Sequence, residues 1–174
     1  MGKEKKLLII IDVQNFFINK YTKEIPQRIA DFLKKNGSKY YFIAFTKYLN
    51  DKKSPFYKKL KFRECLGGEQ VKIAQELKEF VSKDNLFTKS TYSAFQNKSL
   101  TSFIKKHKIN KIEICGLTSD GCVLATAFEG FDLGFDIKVL KDLTGTCWGP
   151  EEFNQSCLNL IGYKIDPSLL KLDK

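Results

Sequence analysis

The feature that most constrains this chain is Leu7-Leu-Ile-Ile-Ile11, five consecutive apolar residues that end abruptly at Asp12. An alternating strand hides one face, whereas an unbroken apolar run suits a strand hidden on both. Such strands belong to parallel sheets covered by helices on each side. The rest of the chain repeats the theme. Helical patterns over 26–36, 69–81, 100–107, 120–133 and 150–161 alternate with strand-like segments at 40–45, 85–89, 111–116 and 135–140 and a short sixth at 163–165. Gly37 and Gly134 follow two of the helical patterns as stop signals. The alternation predicts an α/β fold around a largely parallel sheet. The helix over 120–133 is expected to turn Val123, Leu124, Ala127, Phe128 and Phe131 inward. Residues 46–68 are polar and lysine-rich and read as a long loop, of the kind that often forms a lid.

A chain of 174 residues with no internal repeat and no linker reads as one domain, 1–174. Its 43% hydrophobic and 29% charged residues argue against disorder. Thirty basic residues against twenty acidic ones give a formal charge of +10, which raises the question of a nucleic-acid partner. Only Arg28 and Arg63 are arginines, and base and phosphate readout leans on the arginine fork. The lysines are scattered in short pairs such as Lys34-Lys35 and Lys105-Lys106, so the expectation is a lysine-coated surface with no nucleic-acid partner. No apolar run approaches the ~20 residues of a membrane span or the ~7–15 of a signal peptide. No membrane partner is expected, and the five cysteines read as reduced thiols of a cytoplasmic protein.

Ligands of such sheets bind beyond the carboxyl ends of the strands. Three reactive groups fall there. Asp12 ends the first strand, Lys89 ends the third, and the fourth opens through Gly116-Leu-Thr-Ser-Asp-Gly-Cys122 into a helix. Each has an ordinary reading on its own: a turn residue, a solvated lysine, a small core residue. Together they make a chemical set. The thiolate is the nucleophilic form of cysteine, and both a helix N-terminus and an ammonium favour it. Asp12 is placed to act as base, and backbone N–H groups of the 116–122 turn to hold a developing oxyanion. His107 is the one histidine; it precedes the fourth strand, so it is expected at the opposite edge of the sheet, away from Cys122.

These residues resemble those of the isochorismatase-like cysteine hydrolases, which include nicotinamidases, N-carbamoylsarcosine amidases and isochorismatases. The resemblance runs through Leu8-Ile-Ile-Ile-Asp-Val-Gln-Asn-Phe-Phe17, Cys65-Leu-Gly-Gly-Glu69, Phe87-Thr-Lys-Ser-Thr-Tyr-Ser-Ala-Phe95 and Gly116-Leu-Thr-Ser-Asp-Gly-Cys-Val123. It implies a three-layer α/β/α sandwich with a six-stranded, mostly parallel sheet. It implies Asp12, Lys89 and Cys122 as the catalytic triad, an oxyanion hole from the N–H groups of Thr118 and Cys122, and a cis peptide at Leu117–Thr118. Phe17 matches an aromatic substrate wall; Tyr92 and Trp148 are further substrate-binding candidates. Dimers or tetramers are frequent in the family, so a homo-oligomer is a possible state.

The chain also departs from the pattern. Metal-binding nicotinamidases carry Asp-x-His and a further histidine between the second and third strands. Here Thr46 to Lys83 holds no histidine, and Asp51 is followed by Lys52 and Lys53. No metal site and no cofactor are expected, and nicotinamide is in question as the substrate. Gly121 stands where a larger residue is often found. The leading expectation is a metal-independent cysteine hydrolase that cleaves a small amide or related C–N bond through a Cys122 thioester. The alternatives are isochorismatase-like hydrolysis of an anionic ether, suited to the lysines of residues 47–61, and a non-catalytic interaction module on the same scaffold.

Overall fold

The computed structural model describes residues 5–170. Its sheet has five strands: β1 (Lys6–Ile11), β2 (Phe42–Tyr48), β3 (Leu86–Lys89), β4 (Lys111–Leu117) and β5 (Asp136–Gly145). The order is β3-β2-β1-β4-β5, and every pairing is parallel. The helices are α1 (Ile25–Asn36), α2 (Pro55–Lys58), α3 (Lys98–His107), α4 (Cys122–Asp132) and α5 (Glu151–Lys164). Among the described residues, no helix is long and apolar enough to cross a membrane.

The central strand explains the three layers. Every residue from Leu7 to Ile11 is fully buried. Side chains alternate across a strand, so the run feeds two cores. Leu7, Ile9 and Ile11 pack with Leu100 and Ile104 of α3, Val123 and Ala127 of α4, and Leu158 and Ile161 of α5. Leu8 and Ile10 pack with Ile29, Ala30 and Leu33 of α1 and with Leu77. Burying a side chain of this size stabilises by roughly 1.5–3 kcal/mol, which is what ties both helical layers to β1.

Three expectations need correction. The sheet has five strands, not six: residues 163–164 finish α5, and Tyr163 is 73% exposed. Gly162 does not stop that helix, because it is buried where an added Cβ would meet Leu170 Cδ2 at 2.7 Å. Close packing, not termination, requires glycine there. The stretch 69–81 is two 3-10 turns, Gly68–Val71 and Gln75–Phe80, rather than one helix. Between them the chain is drawn out: Ala74 N–H donates to the Val13 carbonyl at 3.0 Å, and Lys72 accepts from Asn15 N–H at 3.0 Å. The buried positions Val71, Ala74 and Leu77 fall three apart, a spacing that suits the 3-10 turn. Lastly, β2 runs on to Tyr48, which places Thr46 in the sheet rather than in the loop.

Candidate active site

The three reactive groups converge at the carboxyl edge of the sheet. Asp12 follows β1, Lys89 ends β3, and Cys122 is the first residue of α4, after β4. Asp12 is fully buried, and Lys89 and Cys122 are nearly so. The Lys89 ammonium donates to Asp12 Oδ2 at 2.5 Å, to the Thr91 carbonyl at 2.9 Å and to Cys122 Sγ at 3.4 Å.

Local sequence sets this up. Asp12 takes a left-handed conformation with φ 46°, a region that Asp tolerates better than most residues, and so turns the chain off the end of β1. Gly116 has φ 112°, and a Cβ there would lie 2.3 Å from the Ile11 carbonyl oxygen. Only glycine lets β4 pass that close to the end of β1 and carry the 117–122 turn to Asp12. The Leu117–Thr118 peptide is cis, at the position the resemblance implied.

Two supporting residues were missed in the sequence reading. Thr46 Oγ1 donates to Asp12 Oδ1 at 2.7 Å and accepts Asp12 N–H at 3.2 Å, so it grips the carboxylate from the side opposite Lys89. Gln14 is fully buried; its amide donates to the carbonyls of Tyr48 and Val71 and accepts Tyr48 N–H at 2.7 Å. It pins the segment after Asp12 to the end of β2. A strand-end Thr was the signal available for the first; the second depends on backbone atoms remote in the chain.

The electrostatics differ in one respect from expectation. Burial pushes the Cys122 thiol well up; Lys89 draws it back, and the Asp12 carboxylate pushes it up again. The anticipated lowering by helix and ammonium is outweighed because the sulfur is almost out of water. Burial alone would lower Lys89, but the Asp12 carboxylate, with Cys122, holds it above its ordinary value. The site thus holds an Asp12–Lys89 ion pair beside a sulfur whose burial favours the protonated thiol.

A cavity of about 230 Å³ opens on Cys122, lined by Phe17, Tyr48, Phe56, Leu60, Phe62, Tyr92, Thr118 and Trp148. The three residues expected to bind substrate all line it. Tyr48, Phe56, Leu60 and Phe62 were not anticipated; all four lie in the stretch read as a polar loop, though Tyr48 ends β2. That loop is pinned. Asn50 N–H donates to the Cys65 carbonyl at 2.8 Å, and its side-chain amide donates to the carbonyls of Phe62 and Glu64, each at 3.0 Å. Its Oδ1 accepts Ser54 Oγ at 2.8 Å. Phe56 then packs on Tyr92 with ring centroids 4.4 Å apart. A larger cavity of about 550 Å³, between the starts of α1 and α5, contains none of Asp12, Lys89 or Cys122.

His107 lies at the opposite edge, where its carbonyl accepts from Lys5, just before β1. The zinc or iron ligands of metal-binding relatives do not fit these residues. Asp51 is exposed and accepts Lys53 N–H at 2.6 Å within its own turn, with two lysines following it. Among the described residues, no group of three or more His, Cys, Asp or Glu side chains is spaced to hold a metal ion.

The model of the isochorismatase domain matches residues 6–156, which takes in every strand and all of the site above. The chain belongs to the isochorismatase family. Its curated relatives include an uncharacterized isochorismatase family protein, YrdC, of Bacillus subtilis, 30% identical over 147 residues that make up 82% of this chain and 74% of the relative. Nicotinamidase 3 of Arabidopsis thaliana is 25% identical, covering 94% and 86%. Among solved structures, the pyrazinamidase/nicotinamidase of Streptococcus mutans superposes with a TM-score of 0.79 at 24% identity, covering 91% of this chain and 96% of that one. N-carbamoylsarcosine amidase of Thermoplasma acidophilum gives 0.76 at 17% identity, covering 91% and 93%. The protein is an isochorismatase-family hydrolase with an α/β/α fold.

Proposed function

We propose that this isochorismatase-family hydrolase cleaves small, neutral amides through a covalent Cys122 thioester. One observation carries the reading: a buried ammonium, Lys89, that touches both the Asp12 carboxylate and Cys122 Sγ at the wall of an apolar cavity. A thiol kept protonated at rest needs a base at the moment of attack, and Asp12 is the carboxylate in the cluster. Asp12 takes the proton from Sγ as sulfur bonds to the amide carbon. The carbonyl oxygen becomes an oxyanion held by the N–H groups of Thr118 and Cys122; the Cys122 amide, at the first residue of α4, has no preceding helical turn to pair with. The C–N bond then breaks, and the amine leaves with the proton returned by Asp12. Water attacks the thioester, gives a proton to Asp12, and releases the acid as the thiol reforms. Lys89 stays charged throughout and stabilises each anionic partner in turn. Nicotinamidase 3 and the Streptococcus mutans enzyme, proteins this chain resembles, are named for amide substrates.

The cavity also speaks to substrate class. At about 230 Å³ it is below the ~300–1,000 Å³ usual for drug-sized ligands, so the acyl group is small. Its wall is aromatic, and the lysines of the neighbouring loop, Lys52, Lys53, Lys58, Lys59 and Lys61, are exposed and do not line it. That favours a neutral, flat amide over an anionic ether. Ammonia release from a panel of primary amides, followed with intact-mass spectrometry for a Cys122 acyl adduct, tests the reading. Cys122→Ala is expected to abolish turnover with the circular dichroism unchanged. Turnover surviving in that variant would refute the covalent route, and pyruvate release from an enol ether would favour the alternative reaction.

A further inference from the structure

The aromatic wall of the substrate cavity contains one orphaned polar atom. Tyr48, the last residue of β2, lines the cavity with Cys122 and is 2% exposed. Its phenol oxygen is buried and has no hydrogen-bond partner among the described residues. Leaving such a group unpaired costs ~1–3 kcal/mol, so a buried orphan calls for an explanation. Phenylalanine would fill the same place without that cost. Phe17, Phe56 and Phe62 do so around it, with ring centroids 6.5, 5.1 and 6.3 Å from that of Tyr48.

The protein itself supplies no partner. The three neighbouring rings carry no acceptor. Asp12 is taken up by Thr46 and Lys89, and Cys122 Sγ by Lys89. Nor is the end of β2 free to carry the ring elsewhere: Gln14 accepts Tyr48 N–H at 2.7 Å and donates to the Tyr48 carbonyl at 2.9 Å. Burial, reinforced by Cys65, Cys122, Asp12 and Tyr92, pushes the phenol well above its ordinary range, so it keeps its proton and has one to donate. We propose that Tyr48 determines specificity by donating a hydrogen bond to an acceptor atom, a ring nitrogen or a carbonyl oxygen, on the acyl group of the substrate. The proposal rests on the amide reading above. In that reading the amide oxygen goes to the oxyanion hole and the amide nitrogen leaves, so the acceptor is a further atom of the acyl group. Phe56 and Phe62 come from the loop after β2, and a side-chain shift there on substrate entry bares the hydroxyl. A site built around a buried donor rejects an isostere lacking the acceptor, because the donor then stays unpaired.

Calorimetric binding to Cys122→Ala, which holds amides without turning them over, tests the proposal. The ligands are benzamide and the three pyridinecarboxamides, which have the same size and place one ring nitrogen at each position in turn. At least one pyridinecarboxamide is expected to bind about tenfold or more tightly than benzamide. Adding Tyr48→Phe is expected to erase that preference by weakening the pyridine amide and not benzamide. In the chain with Cys122 intact, Tyr48→Phe should lower kcat/KM for the same amide alone. It should leave the thermal midpoint unchanged or raised, since it removes an unpaired hydroxyl. No preference for any nitrogen-bearing amide, a preference that survives Tyr48→Phe, or a clear loss of stability in Tyr48→Phe would overturn the proposal. Selective binding without ammonia release from the intact chain would instead refute the amidase reading and leave the donor role of Tyr48 standing.

Discussion

Lys89 couples the charge balance of the site to its stability. It is 5% exposed, and its ammonium is what offsets the fully buried Asp12 carboxylate. Removing one partner of a buried pair leaves the other uncompensated, so Lys89→Met is expected to cost ~3–5 kcal/mol, read from the urea midpoint, and to suppress amide turnover. Adding Asp12→Leu should restore most of that stability while the enzyme stays inactive. If Lys89→Met alone were as stable as the parent, the pair would not be ionised. Asp12, Lys89 and Cys122 were legible in the sequence because a reactive side chain at a strand end needs no knowledge of packing. Thr46 was not, because the extent of β2 decides whether it faces Asp12 or solvent. The direction of the Cys122 shift was also hidden: the helix and the ammonium can be read from sequence, but the depth of burial cannot.

At the scale of elements, the loop between β2 and β3 departs most from expectation. Its length suggests a lid, yet a single residue, Asn50, ties its start to residues 62–65 and helps hold Phe56 and Phe62 over the cavity. Asn50→Ala is expected to raise KM about 10-fold or more while kcat falls much less, since the wall is loosened but the reacting groups are not. Limited proteolysis at residues 52–61 should accelerate in parallel. Equal losses in kcat and KM, or no change in cleavage, would count against the pinned loop. The strands were readable from apolar runs bounded by turn signals. The 3-10 turns at 68–80 were not, because positions three apart fit an α-helical pattern equally well, and the difference lies in backbone bonds to Val13 and Asn15. The supposed sixth strand at 163–165 failed for a related reason: so short a segment carries no periodicity to tell it from the continuation of α5, which runs on to Lys164.

For the whole molecule, the thiols give stability an alkaline limit. Burial raises Cys65 and Cys147 from an ordinary 9.0 to about 12 each, so the folded chain keeps protons that the unfolded chain releases. Their contribution is complete below pH 9.0 and is lost as pH rises towards 12, and the raised Lys89 acts in the same direction. The urea midpoint is expected to be flat from neutrality to about pH 9 and to fall steeply above it; a midpoint that held or rose through that window would contradict the burial of these groups. The order β3-β2-β1-β4-β5 has a further outcome for the life of the chain. Residues 12, 89 and 122 meet only once β1 has been flanked by β2 on one side and by β4, from much later in the sequence, on the other. A nascent or truncated polypeptide thus holds an acid, an amine and a sulfhydryl that are strangers to one another. Reactivity at this site is therefore a property of the assembled sheet and of no single stretch of chain.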